Sequence, residues 1–414
     1  EFTSLNKQPA IDAVNKAAED KIAEINANTN ATAEEKAAAI EKVNADKAKA
    51  LTAINDNSVT TKAALDNAKT SGTTAISNDN PVVTKKNTAK AAIDSALRAK
   101  EAAIDANDDL TTEEKNAAKA DAQAKANAAK TAIDNATTNV AVDSAQTAGT
   151  TSVSSVMPTA VAKPAAKKAI EDALKAKVAQ LDARNDLTTE EKEAAKADAQ
   201  ARATAAKNNI DTATTNSTVD NAKTTGVADV ESVNPQASQK KTDAKNAVDE
   251  ALKAKEAEID ANNDLTAEEK AKAKEDAKSK ADVAKQAIDN ATTNDAVTQA
   301  KNAGAISVDS VTPTPVAKPA AKQAIDDALK AKNDAIDANN DLTDEEKAKA
   351  KEDAKAKADA AKQAIDNATT NDAVEQAKND GATSISSVTP TPTAKPAAKQ
   401  AIDDALKAKN DAID

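Results

Sequence analysis

Asp337, Asn339 and Asp341 stand at every second position of DANNDLTDEEK (337–347). That is the spacing at which carboxylate and amide oxygens enter a calcium-binding loop. Such a loop also needs glycine at its sixth position and a bidentate glutamate at its twelfth; here those positions hold Leu342 and Ala348. In the related stretch DARNDLTTEEK (182–192) the third-position oxygen is replaced by Arg184, and NANTNATAEEK (26–36) begins on Asn26 with no carboxylate at positions one, three or five. What persists in every copy is Thr-x-Glu-Glu-Lys. That pattern starts a helix: Thr343 can cap backbone amides, Glu346 three residues later can return the bond, and both Glu345 and Glu346 suit the positive helix end. Leu342, just before the cap, can anchor the turn against a core. The helix-start reading is therefore favoured over the metal loop, and no metal, cofactor-binding or catalytic residue is assigned.

Other candidate chemistry is weighed on the same terms. The segments 290–294 and 367–371 read Asn-Ala-Thr-Thr-Asn and match a glycosylation acceptor; a Thr or Asn cap between two helices is the preferred reading. Ser–Lys pairs could support hydrolysis, but no SxxK motif lies beside a glycine-rich oxyanion loop. The chain has no Cys, His, Trp or Tyr, one Met and one Phe. This excludes a thiol nucleophile, an imidazole base and the common zinc, haem and iron–sulfur sites, and it leaves no aromatic platform for single-stranded nucleic acid. An enzyme is not expected. The net charge is −12, with acidic and basic residues interleaved, so a basic groove for phosphate backbones is missing and no nucleic-acid partner is expected. No apolar run is long enough to span a membrane. The opening Glu1-Phe2 reads as a cloning remnant, and the chain as an excised stretch of something longer.

These residues sit in a repeat. The five glycines, Gly72, Gly149, Gly226, Gly304 and Gly381, are spaced 77, 77, 78 and 77 apart, and each is followed nine residues later by proline (Pro81, Pro158, Pro235, Pro313, Pro390). The period divides the chain into a divergent first repeat (1–81), four further repeats (82–158, 159–235, 236–313, 314–390) and the first helix of a sixth (391–414). Large apolar side chains are sparse and alanine dominates, so several thin bundles are expected rather than one large core. Each copy reads as three helices. In the third repeat the first runs from Lys163 to Ala183, with Pro164 in its first turn and Ala166, Ile170, Ala173, Leu174 and Leu181 on one face. The second runs from Thr189 to Ala213, with Ala195, Ala199, Ala203, Ala206, Ile210 and Ala213 forming a helical stripe. The third is a short helix from Asn216 to Thr225 with Val219 and Ala222 facing inward, ended by Gly226 in a left-handed conformation. Val230 and Val233 beyond it lie back on the bundle, and a Thr/Pro connector such as TPTPVAKP (312–319) forms a semi-rigid extended link. The expected fold is all-α: a tandem array of small three-helix bundles with Ala-rich cores, forming an elongated rod.

The succession AIDxALxAKxxxIDANxDLTxEEKxxAK, AIDNATTxxxV, AxxxG, IxxVxP resembles a long helical repeat of unknown function, the DUF1542 type, found in tandem in giant cell-wall-anchored surface proteins of Gram-positive bacteria, staphylococcal matrix-binding adhesins among them. The similarity extends from about Gln8 to Asp414, with the first repeat departing most. The resemblance implies a stalk between a distal binding region and a wall anchor, with no catalytic or metal residue to carry over. It also implies an extracellular, wall-anchored location. Partners reached through the full-length protein would be host extracellular matrix or plasma proteins, or opposing bacterial cells. The chain itself is expected to be a monomer. The alternative is that the repeats themselves bind host proteins or mediate cell–cell adhesion in biofilms.

Overall fold

The computed structural model describes residues 4–414; the Glu1-Phe2 opening lies outside them. Among the described residues there are sixteen helices and no strand. The first repeat holds α1 (Gln8–Asn26), α2 (Ala33–Asn55) and α3 (Lys62–Ser77); the second, α4 (Lys85–Asp105), α5 (Thr112–Asn135) and α6 (Asn139–Ser154). The third holds α7 (Ala162–Asp182), α8 (Thr189–Thr212) and α9 (Asn216–Glu231); the fourth, α10 (Gln239–Asp260), α11 (Ala267–Asn290) and α12 (Asn294–Asp309). The fifth holds α13 (Ala317–Asp337), α14 (Asp344–Asn367) and α15 (Asn371–Ser386), and α16 (Ala394–Ile413) opens a sixth. In the first, second, fourth and fifth repeats each helix packs against the other two. The chain divides into two compact units, one of residues up to Val178 with Asp198–Val233, the other of Ala179–Ala197 with Asn234–Asp414.

The alanine stripe does what its spacing predicts. Ala273, Ala277, Ala281, Ala284 and Ile288 of α11 are buried, as are Ala350, Ala354, Ala358, Ala361 and Ile365 of α14. The bulk in each core comes from a few branched residues; in the second repeat these are Ile93, Leu97, Ile104, Leu110, Ile133, Val142, Val153 and Val156. Ion pairs such as Lys130–Asp94, Lys285–Asp249 and Lys362–Asp326 link first and second helices across the solvent edge.

The third helix differs from expectation. It does not stop at the glycine: α9 continues through Gly226 to Glu231, and no described glycine has a positive φ. The physical reason is steric rather than conformational. A β-carbon built on Gly226 would lie 2.5 Å from the Ala206 Cβ and 2.8 Å from the Ile170 Cδ1, and one on Gly149 would lie 2.6 Å from the Ala129 Cβ. The helices cross too closely for any side chain at this point. The helix accepts the ~1 kcal/mol propensity cost of glycine for that contact. Val230 and Val233 are buried as expected, because the extra turn of helix carries them back onto the bundle.

Candidate functional site

The Thr-x-Glu-Glu-Lys turn is where the sequence concentrates its unvarying polar residues, and each side chain has a defined task. The capping box forms as read. The Thr343 Oγ1 accepts from the Glu346 amide at 3.2 Å, and Glu346 Oε1 accepts from the Thr343 amide at 2.9 Å. The same pair occurs at Thr32/Glu35, Thr111/Glu114, Thr188/Glu191 and Thr266/Glu269. Asp337 and Asn339 of the calcium-like spacing use their side-chain oxygens to hold the turn and the helix that follows, and Asp341 takes part through its backbone amide. The Asn339 Oδ1 accepts from the Asp341 amide, the Asp337 carboxylate pairs with Lys351 at 2.7 Å, and the Asp337 carbonyl accepts from Lys347. Leu342 is buried. Arg184, which interrupts the spacing in the third repeat, pairs with Asp186 at 2.7 Å and donates to the Pro235 carbonyl. Among the described residues no cluster of three or more acidic residues is arranged to hold a metal ion. In the Asn-Ala-Thr-Thr-Asn segments, Thr293 and Thr370 cap α12 and α15.

Sequence reasoning missed what the rest of the turn does: it joins successive repeats. The second oxygen of each capping-box glutamate reaches the start of the next repeat. Glu114 Oε2 accepts from the Val161 amide at 2.8 Å and Ala162 at 3.2 Å; Glu269 Oε2 accepts from Val316 at 2.9 Å and Ala317 at 3.2 Å. Glu35 does the same for Thr84 and Lys85, and Glu346 for Thr393 and Ala394. One carboxylate therefore caps two helices in two repeats. The preceding glutamate reaches the third helix of the next repeat. Glu34, Glu113, Glu190 and Glu268 each accept at 2.9 Å from the amides of Asn139, Asn216, Asn294 and Asn371. Between the two glutamates' contacts lies a backbone bond: the amides of Ala33, Thr112, Thr189 and Ala267 donate to the carbonyls of Thr137, Thr214, Thr292 and Thr369.

A buried lysine completes the junction from the other side. Lys318 is 4% exposed, and its ammonium donates at 2.8 Å to the Asn263 carbonyl in the preceding turn and at 2.6 Å to the Asp366 carbonyl at the end of α14. Lys86, Lys163 and Lys241 repeat this bridge. Each satisfies carbonyls that helix and turn ends leave open, so the charge is buried but not idle. The electrostatics follow. Burial pushes the Glu269 carboxyl up, and amide donors from Thr266, Val316 and Ala317 more than offset it, leaving its pKa below the ordinary value. Glu35, Glu114 and Glu191 lie low for the same balance, with the Ser238 hydroxyl among the donors to Glu191. Glu346, held first by the Thr343 and Thr393 amides, is lowered to about 2.

Five successive stretches, residues 6–84, 85–161, 162–238, 240–316 and 317–393, match the Domain of Unknown Function (DUF1542). The chain belongs to the DUF1542 family. Among the relatives of this DUF1542 array is the extracellular matrix-binding protein EbhA of Staphylococcus aureus strain Newman, 32% identical over 243 residues, which is 58% of this chain and 7% of the relative. The extracellular matrix-binding protein ebh of strain NCTC 8325 shows the same identity over 58% of this chain and 2% of its own length. EbhA of strain Mu3 is matched over 4% of its length. The DUF1542 array thus spans a small part of these relatives. No solved structure matches it. Among the described residues no helix is long and apolar enough to cross a membrane.

Proposed function

We propose that this DUF1542 region is the stalk of a bacterial cell-surface adhesin, a spacer that sets a distal binding domain away from the cell wall. The observation that carries this reading is the junction: the same glutamates, backbone bond and buried lysine recur from repeat to repeat, so each added copy docks on the last in the same way. A spacer needs additive length and joints that resist bending, and a docked joint with four kinds of contact supplies both. Wall anchoring and a monomeric state belong to the same proposal, as does the absence of any catalytic role. The test is small-angle scattering on two against four consecutive repeats. A maximum dimension that nearly doubles supports the stalk; one that grows by much less rejects it.

The printed names of the staphylococcal relatives favour a second reading, in which the repeats themselves hold matrix proteins. Many weak copies could act through avidity. Saturable micromolar or tighter binding of a two-repeat unit to immobilised matrix or plasma proteins would put this reading ahead of the first.

A further inference from the structure

Seven residues after the recurring glycine position, the later repeats place a buried valine: Val156, Val233, Val311 and Val388. The first repeat has Asp79 there, 2% exposed, and its Oδ2 has no hydrogen-bond partner. A second exchange accompanies the first. On the second helix the later repeats pair Asp121 with Lys125, Asp198 with Arg202, Asp276 with Lys280 and Asp353 with Lys357. The first repeat reverses that order, with Lys42 and Asp46. The two exchanges bring two carboxyls together where other repeats have a valine and a cation.

The groups facing Asp79 come from two helices. From α2 these are Asp46 and Lys42, the latter with its ammonium 4.0 Å from Asp79 Oδ1. From α1 it is Lys21, itself 7% exposed, whose ammonium is engaged by the Asn80 Oδ1 at 2.6 Å and by Glu24 at 3.4 Å. Neither lysine makes a close bond to Asp79, and two ionised carboxylates have no proton to share. A hydrogen bond between the Asp79 and Asp46 carboxyls requires that one of the pair be protonated.

We propose that Asp79 and Asp46 form an acid-tightened clasp, in which one proton held between the two carboxyls fastens the end of α3 onto α2 in the first repeat alone. Burial first, then the hydrogen bond and repulsion from Asp46, push the Asp79 carboxyl up to about 6 against the opposing pull of Lys42 and Lys21. With its folded value raised, the contribution is complete below the unfolded value near 4 and is lost as pH rises through about 6. The device is local, because valine at the matching site in the other repeats cannot titrate.

Hydrogen exchange read by mass spectrometry on the full chain tests this. The first-repeat segment 65–79 is compared with its fifth-repeat counterpart 374–388 at about pH 5 and about pH 7.5, after correction for intrinsic rates. Relative protection of the first-repeat segment is expected to fall about ten-fold at the higher pH, one pKa unit of lost stabilisation. Asp79→Val, which installs the residue of the other repeats, and Asp79→Asn should both remove that difference. Equal changes in the two segments, or an undiminished first-repeat difference in Asp79→Val, would overturn the clasp.

Discussion

Two contact regions of this molecule use opposite physics. Inside a repeat, the second and third helices cross at a seam of Ala against Gly, where the nearest atoms are apolar and there is no room for one more carbon. Between repeats, the contact is built from carboxylates, an ammonium and backbone groups at helix ends. The seam draws its strength from burial and close packing, which depend little on salt or acid. The junction draws its strength from charge-assisted hydrogen bonds at termini whose donors and acceptors would otherwise be unpaired. The difference means that a module's integrity and its attachment to its neighbour can be altered separately.

Four perturbations bear on that separation. Ile365, fully buried in α14, should give the largest effect: Ile365→Ala is expected to cost about 2–5 kcal/mol, read as lost exchange protection in the fifth repeat. Gly381→Ala gains helix propensity yet drives a methyl into Ala361, and a net loss of about 1–3 kcal/mol is expected by the same measurement; a stabilised variant would show the seam to be loose. Lys318→Met leaves the Asn263 and Asp366 carbonyls without their donor and should cost about 1–2 kcal/mol, shared between the fourth and fifth repeats. If its effect stays within one repeat, the junction does not couple neighbours. Glu269→Gln should cost less than about 1 kcal/mol because the site is half exposed, and it should loosen α13 while sparing the buried stripe of α11. Acid should mimic it. The capping-box glutamates Glu35, Glu114, Glu191, Glu269 and Glu346 have lowered folded pKa values, so their contribution is whole above the unfolded value near 4.3 and fades as pH falls through the folded values, about 2 at Glu346. Exchange measured between about pH 5 and pH 2.5 should show helix starts opening before helix centres.

Much of the fold is legible in the chain because its signals are local. The steps of 4, 4, 3 and 4 that bring Ala195, Ala199, Ala203, Ala206 and Ile210 to one face fix the second helix. Thr343 and Glu346 fix its start within three residues of each other. Gly226 misleads because glycine has two uses, permitting a left-handed backbone and permitting close approach, and only the second operates here. The junction escapes for a different reason. A capping box occupies one carboxylate oxygen, and nothing in the sequence near Glu269 says that the other meets amides at Val316 and Ala317. One signal was present: both glutamates persist in all five copies while the residue before them varies among Ala33, Thr112, Thr189, Ala267 and Asp344. A capping box alone requires only the second glutamate. The buried lysines carry a similar mark, since Lys163 and Lys318 each precede a proline in the first helical turn, where a solvated side chain would be free to change.

The paired glutamates of each turn give the array a direction. Acceptors sit on the earlier repeat, and the amides they receive sit on the later one. The glutamate oxygens of one repeat therefore always face the amides of the copy that follows it in the chain. The backbone bond runs the other way, from an amide of the earlier repeat to a carbonyl of the later one, so the two kinds of contact interlock neighbouring copies head to tail.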